Sequence, residues 1–162
     1  FLMLFNGLLV FNATQGHYNP FTPFKAWSKP TADLQFLHAD NLQDIKKILR
    51  EQNSGRIAML DLYADWCISC LVLEQEVFTT PAVNAQLQKL ILIRADITQG
   101  TAQHQQLLKH FGLFGPPSLL FFDGQQELSD QRIQGEVDAQ TLQQHLARLP
   151  QKTVKKADTI NN

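Results

Sequence analysis

Two stretches of the chain, IAMLDLYA (residues 57–64) and LILIRAD (residues 90–96), are almost unbroken runs of apolar side chains. Runs this short and continuous predict strands covered on both faces. LQFLHA (34–39) predicts a short first strand, and LQDIKKILREQ (42–52) a helix capped by Asp40 or Asn41 and stopped at Asn53-Ser54-Gly55. The first buried run leads straight into Trp66 and Cys67, where a helical pattern begins that lasts to Phe78. Thr80 followed by Pro81 predicts another short helix, to about Leu87. TAQHQQLLKHFG (101–112) is a further helix closed by Gly112. SLLFFD (118–123), a turn at Asp123-Gly124 and a second run near Arg132-Ile133 predict an antiparallel hairpin, and DAQTLQQHLARL (138–149) a final amphipathic helix. The predicted order, β-α-β-α-β-α-β-β-α, gives an α/β fold with a central mixed sheet flanked by helices on both faces.

The 162 residues suit one domain with its own core, placed at residues 34–150. Residues 1–11, FLMLFNGLLVF, are nearly all apolar. They fall short of the ~20 residues that cross a bilayer as a helix, and they lack the charged start and cleavage site of a signal peptide. Two readings stand for this segment: the end of a transmembrane helix belonging to a longer protein, or an element packed on the domain. Residues 12–32 are rich in Pro, Thr, Asn and aromatics, and Pro20, Pro23 and Pro30 forbid a continuous helix, so residues 1–33 read as an apolar segment and a linker. Residues 151–162 read as a polar tail. A 44% hydrophobic and 18% charged composition is that of a globular protein, and a net charge of −1 without a basic stripe excludes nucleic acid as a partner.

The chemistry centres on the only two cysteines, Cys67 and Cys70. Cys67 stands at a helix start, where unpaired N–H groups and the positive end of the macrodipole favour a thiolate, and is the candidate nucleophile. Cys70 lies one turn deeper, placed to attack a mixed disulfide formed at Cys67. A staple closing so small a ring removes little unfolded-state entropy, and a structural zinc site needs a second ligand pair that the five scattered histidines do not form. Redox dithiol, metal ligands and staple remain the three readings of the pair, with the strand–helix setting favouring the first.

Asp61 is the one charged residue in the first buried run, six positions before Cys67. Burial should raise its pKa; it is a candidate proton carrier for Cys70, or alternatively a salt-bridged or strand-end carboxylate. Glu74 falls four residues after Cys70 and is a candidate second carboxylate coupled to the dithiol, whereas Glu76 points elsewhere. Trp66 is a candidate docking residue or a core residue. In GPPS (115–118), Pro117 is the better candidate for a cis peptide, at the start of a strand.

LDLYADWCISC (60–70), Glu74, LLKHFGLFGPPSLLFFDG (107–124) and the acid-capped last helix resemble the C-terminal periplasmic domain of the DsbD family of bacterial thiol:disulfide interchange proteins, within the thioredoxin superfamily. The resemblance covers roughly residues 34–149. It implies a thioredoxin-like fold and a monomeric protein-disulfide reductase domain of a bacterial inner-membrane protein, exposed to the periplasm. Such a domain takes electrons from a membrane-embedded domain of the same protein and passes them to periplasmic thiol proteins, including those of cytochrome c maturation. No bound cofactor and no metal are implied. The matching positions make Cys67 and Cys70 the exchanging pair, Asp61 and Glu74 the acids that tune it, and Pro117 a cis-proline facing the dithiol. The residue preceding that proline commonly offers N–H and C=O groups to a bound partner; here it is Pro116, which has no N–H. Ile68 and Ser69 replace the Gly-Pro of thioredoxin itself, so thioredoxin's redox poise does not carry over. A general soluble thioredoxin-like reductase or oxidant, and a metal-binding or non-catalytic module using Cys67 and Cys70, are the competing functions.

Overall fold

The computed structural model describes residues 33–52 and 54–150. The apolar segment, the linker up to Ala32 and the tail after Pro150 lie outside the described residues, as do the expectations attached to them. In chain order the elements are β1 (Phe36–His38), α1 (Leu42–Glu51), β2 (Ile57–Tyr63), α2 (Ile68–Val72) running on into a π-helical turn (Leu73–Val77), α3 (Pro81–Leu87), β3 (Ile91–Asp96), α4 (Ala102–Phe111), β4 (Ser118–Asp123), β5 (Gln126–Glu127), β6 (Ile133–Gln134) and α5 (Ala139–Arg148).

The strands form one mixed sheet in the order β1-β3-β2-β4, with β5 and β6 both paired to β4. β1, β3 and β2 are parallel, and β4 is antiparallel to β2. β2 is therefore central, and its alternate side chains serve two cores. Ala58, Leu60 and Leu62 join Ile45 and Leu49 of α1 and Leu107 and Phe111 of α4 on one face. Ile57 and Met59 join Leu73 and Val77 of the π turn, Val83 and Leu87 of α3, and Leu142 and Leu146 of α5 on the other. This two-sided burial explains why β2 and β3 read as unbroken apolar runs rather than as alternating ones. Phe121 of β4 is fully buried in the second core. Phe121→Ala is expected to lower the unfolding free energy by about 3–5 kcal/mol, read from the midpoint and slope of urea denaturation.

The caps follow the sequence signals. Asn41 accepts hydrogen bonds from the N–H groups of Gln43 and Asp44, Thr101 and His104 form a reciprocal capping box, Asp138 accepts from the Thr141 N–H, and Gly112 ends α4 at φ 63°. Three details depart from the expected pattern. Thr80 precedes α3 without capping it, because its hydroxyl donates to the Glu76 carbonyl at 3.0 Å instead. The helix after Cys67 widens at Leu73–Val77, where the Phe78 N–H reaches back five residues to the Leu73 carbonyl. The predicted single hairpin is split: β5 pairs with the end of β4, and β6, near Arg132-Ile133, pairs with its beginning. A 3-10 turn at Ser129–Gln131 separates the two short strands, held by Arg132, which bonds Glu127 and the Phe111 carbonyl.

Candidate active site

The site forms where the central strand runs out. After β2 the chain turns at Asp65-Trp66, and this turn is tied to the end of β3. The Asp65 N–H donates to the Thr98 hydroxyl at 2.9 Å, the Trp66 indole N–H to the Thr98 carbonyl at 3.2 Å, and the Ile97 N–H to the Tyr63 carbonyl at 2.8 Å. Cys67 follows as the N-cap of α2, and its Sγ accepts the Cys70 N–H at 3.2 Å. The two cysteines are joined in a disulfide, and both residues are buried. The strand–turn–helix setting expected from the sequence is thus present, with Cys67 at the helix start and Cys70 one turn inside. Among the described residues no three His, Cys, Asp or Glu side chains group as a metal site.

Asp61 is buried on the face of β2 that carries Ile57 and Met59. Directly opposite on β3 stands Arg94. Its Nη2 and Nε lie 2.8 and 3.1 Å from Asp61 Oδ2, and its Nη1 lies 3.2 Å from Glu74 Oε1. Burial pushes the Asp61 carboxyl up to about 6, against the opposing pull of the Arg94 charge and hydrogen bonds, with a smaller upward push from Glu74. Asp61 is therefore salt-bridged, and its pKa is raised by burial as expected. Glu74, placed on the π turn, is half-exposed while bonded to Arg94. Glu76 is exposed, as expected.

The Pro116–Pro117 peptide is cis, as expected of Pro117. Pro117 is buried and its carbonyl accepts the Gly135 N–H at 2.9 Å. Pro116 is half-buried. Trp66 is not a core residue: it is 62% exposed. Of the five exposed large hydrophobic side chains among the described residues, three (Trp66, Ile68 and Val72) lie on the turn and helix of the disulfide, and Phe114 leads into the proline loop. Four of the five thus border the disulfide turn or the proline loop along the chain.

Sequence reasoning missed Arg94, Thr98 and Phe114. Arg94 carried a signal, since it is the only cation in the second buried run. Thr98 and Phe114 carried none, because their roles depend on which loops the sheet brings together.

Residues 40–124 match a family model described as thioredoxin-like. The chain is 40% identical over 118 residues to the thiol:disulfide interchange protein DsbD of Photorhabdus laumondii, covering 72% of this chain and 20% of that protein. It is 47% identical over 98 residues to DsbD 1 of Pseudomonas aeruginosa, covering 60% and 17%. The chain thus spans about a fifth of the length of the curated relatives it matches. The reduced C-terminal domain of Neisseria meningitidis DsbD superimposes with a TM-score of 0.58 at 27% identity, over 68% of this chain and 97% of that one.

Proposed function

The chain belongs to the thioredoxin-like family, and on that premise we propose that residues 34–150 are a thiol:disulfide exchange domain that relays electrons between two protein partners. The observation that carries the reading is the Cys67–Cys70 disulfide set at the junction of the central strand and its helix. Similarity to DsbD proteins supports the finer assignment. The electron donor is a membrane-embedded domain of the same protein, the acceptors are periplasmic thiol proteins, and the domain faces the periplasm of a bacterial inner membrane.

In the loading half-reaction a donor thiolate attacks Cys67 Sγ. The Cys67–Cys70 bond breaks, its electron pair leaves on Cys70, and Cys70 takes a proton from Asp61. The donor's second thiolate then displaces Cys67 as a thiolate, and the donor leaves oxidised. In the delivering half-reaction Cys67 attacks the acceptor disulfide and is held in a mixed disulfide. Cys70 returns its proton to Asp61 and attacks Cys67, and the acceptor leaves as a dithiol. Two electrons move in each half-reaction and one proton passes between Asp61 and Cys70; Cys67 enters and leaves as a thiolate, the partners' sulfurs exchange their protons with water, and no bound cofactor takes part. Trp66, Ile68, Phe114 and the Pro116-Pro117 loop form the docking surface.

Cys70→Ser removes the resolving thiol and is expected to leave a partner covalently held on Cys67, released by dithiothreitol. Capture of a membrane-embedded thiol protein and of a periplasmic one supports the relay. Capture of neither overturns it, and capture of soluble thiol proteins without a membrane partner favours the general reductase instead.

A further inference from the structure

Among the described residues, the guanidinium of Arg94 is the one cation that meets both carboxylates of the site. It contacts Asp61 through two nitrogens and Glu74 through a third. Its orientation is fixed from the sides as well: the Phe36 ring lies 4.3 Å and the Tyr63 ring 4.6 Å from its central carbon. Its side chain is only 12% exposed. Burial opposes its charge, but the two carboxylates more than offset this and raise its pKa above the ordinary arginine value. A fixed, desolvated, permanently charged group that joins the central sheet to the helix of the disulfide is more than a surface ion pair. It touches neither sulfur in the hydrogen-bonding pattern, so any effect on exchange passes through the acids.

We propose that Arg94 is a positioning residue for the exchange reaction, holding Asp61 and Glu74 in one bridged arrangement that keeps Asp61 able to accept a proton at neutral pH. This rests on the reading of the dithiol given above. Two neighbouring carboxylates in a buried site disfavour each other's ionised form. Burial alone already favours protonated Asp61, and Glu74 adds to that effect. A protonated Asp61 cannot take the proton from Cys70, so the reaction needs a counter-charge at this position. The titratable and charged groups around Asp61 are Arg94 from β3 and Glu74 from the π turn, with the Tyr63 ring from the end of β2 against the guanidinium and its hydroxyl donating to Asp65. Glu74 also acquires a definite role, since through Arg94 it fastens the π turn of the cysteine helix to the sheet.

The test compares the whole chain with Arg94→Gln, Arg94→Lys and Glu74→Gln. The Asp61 carboxyl is titrated by carbon-detected NMR, and the pH profile of exchange is followed with a small disulfide substrate. Arg94→Gln is expected to move the Asp61 midpoint upward by about one to three units, with at least a ten-fold loss of exchange at pH 7. Arg94→Lys should recover part of the shift, and Glu74→Gln should move the midpoint down. An unshifted Asp61 midpoint in folded Arg94→Gln overturns the proposal. If Arg94→Gln does not fold, Glu74→Gln decides in its place: a midpoint that stays or rises overturns the proposal. The Asp61 titration needs no partner, so failure of the relay reading leaves this measurement decisive.

Discussion

Cys67→Ser is expected to abolish exchange in either direction, while Cys70→Ser should still react once and stop. The asymmetry follows from position. Cys67 caps α2 and its sulfur accepts the Cys70 N–H, so its thiolate gains from the helix start and from a hydrogen bond to the charged form. Serine in its place has no accessible anion near neutral pH and cannot form the mixed disulfide, so no residual turnover is expected. A stopped-flow or quenched assay separates the two variants: no covalent adduct for Cys67→Ser, one equivalent for Cys70→Ser. Adduct formation by Cys67→Ser through Cys70 would mean that the deeper sulfur is the nucleophile, and the order of attack would have to be reversed.

Asp61→Asn should slow resolution of the mixed disulfide by about a hundred-fold at pH 7, the scale of a lost general base. In the unaltered chain the rate should rise with an inflection near the Asp61 value of about 6, because only the ionised carboxylate accepts the Cys70 proton. The variant should lack that inflection. Stability changes in the opposite sense. The folded state keeps the Asp61 proton to a higher pH than the unfolded chain, whose carboxyl titrates near 3.8. Between these values the native state binds the extra proton, so stability falls as pH rises, by roughly 3 kcal/mol across the window for a shift of this size. Asp61→Asn should flatten that slope in urea denaturation curves. An unchanged rate together with a flattened slope would make Asp61 structural only.

The sheet, the helices and the dithiol were legible because each rests on local pattern. β2 and β3 are apolar without alternation since both faces are covered, and Gly112 and Asp138 mark their helix ends by local chemistry. What stayed hidden depends on pairing. That Arg94 meets Asp61 follows from the register of two parallel strands separated by thirty-odd residues, which no short-range signal fixes. The π turn at Leu73–Val77 was equally invisible, because LVLEQEV reads as ordinary helix. The split of the hairpin into β5 and β6 is accompanied by Arg132 bonding Glu127 nearby and the Phe111 carbonyl twenty-one residues back, and the second of these carries no local signal.

The proline loop bears on how long a partner stays. Pro116 has no N–H to donate and the Pro117 carbonyl is already occupied by Gly135. An incoming extended segment can therefore donate a hydrogen bond to this loop at Pro116 but receives none from it there. One missing rung is worth about 0.5–1.5 kcal/mol, which at unchanged association corresponds to dissociation faster by roughly two- to twelve-fold. On the proposed relay, in which the domain must let go of one protein before it serves the next, short residence is a gain in throughput. On that reading Pro116 trades grip for turnover frequency.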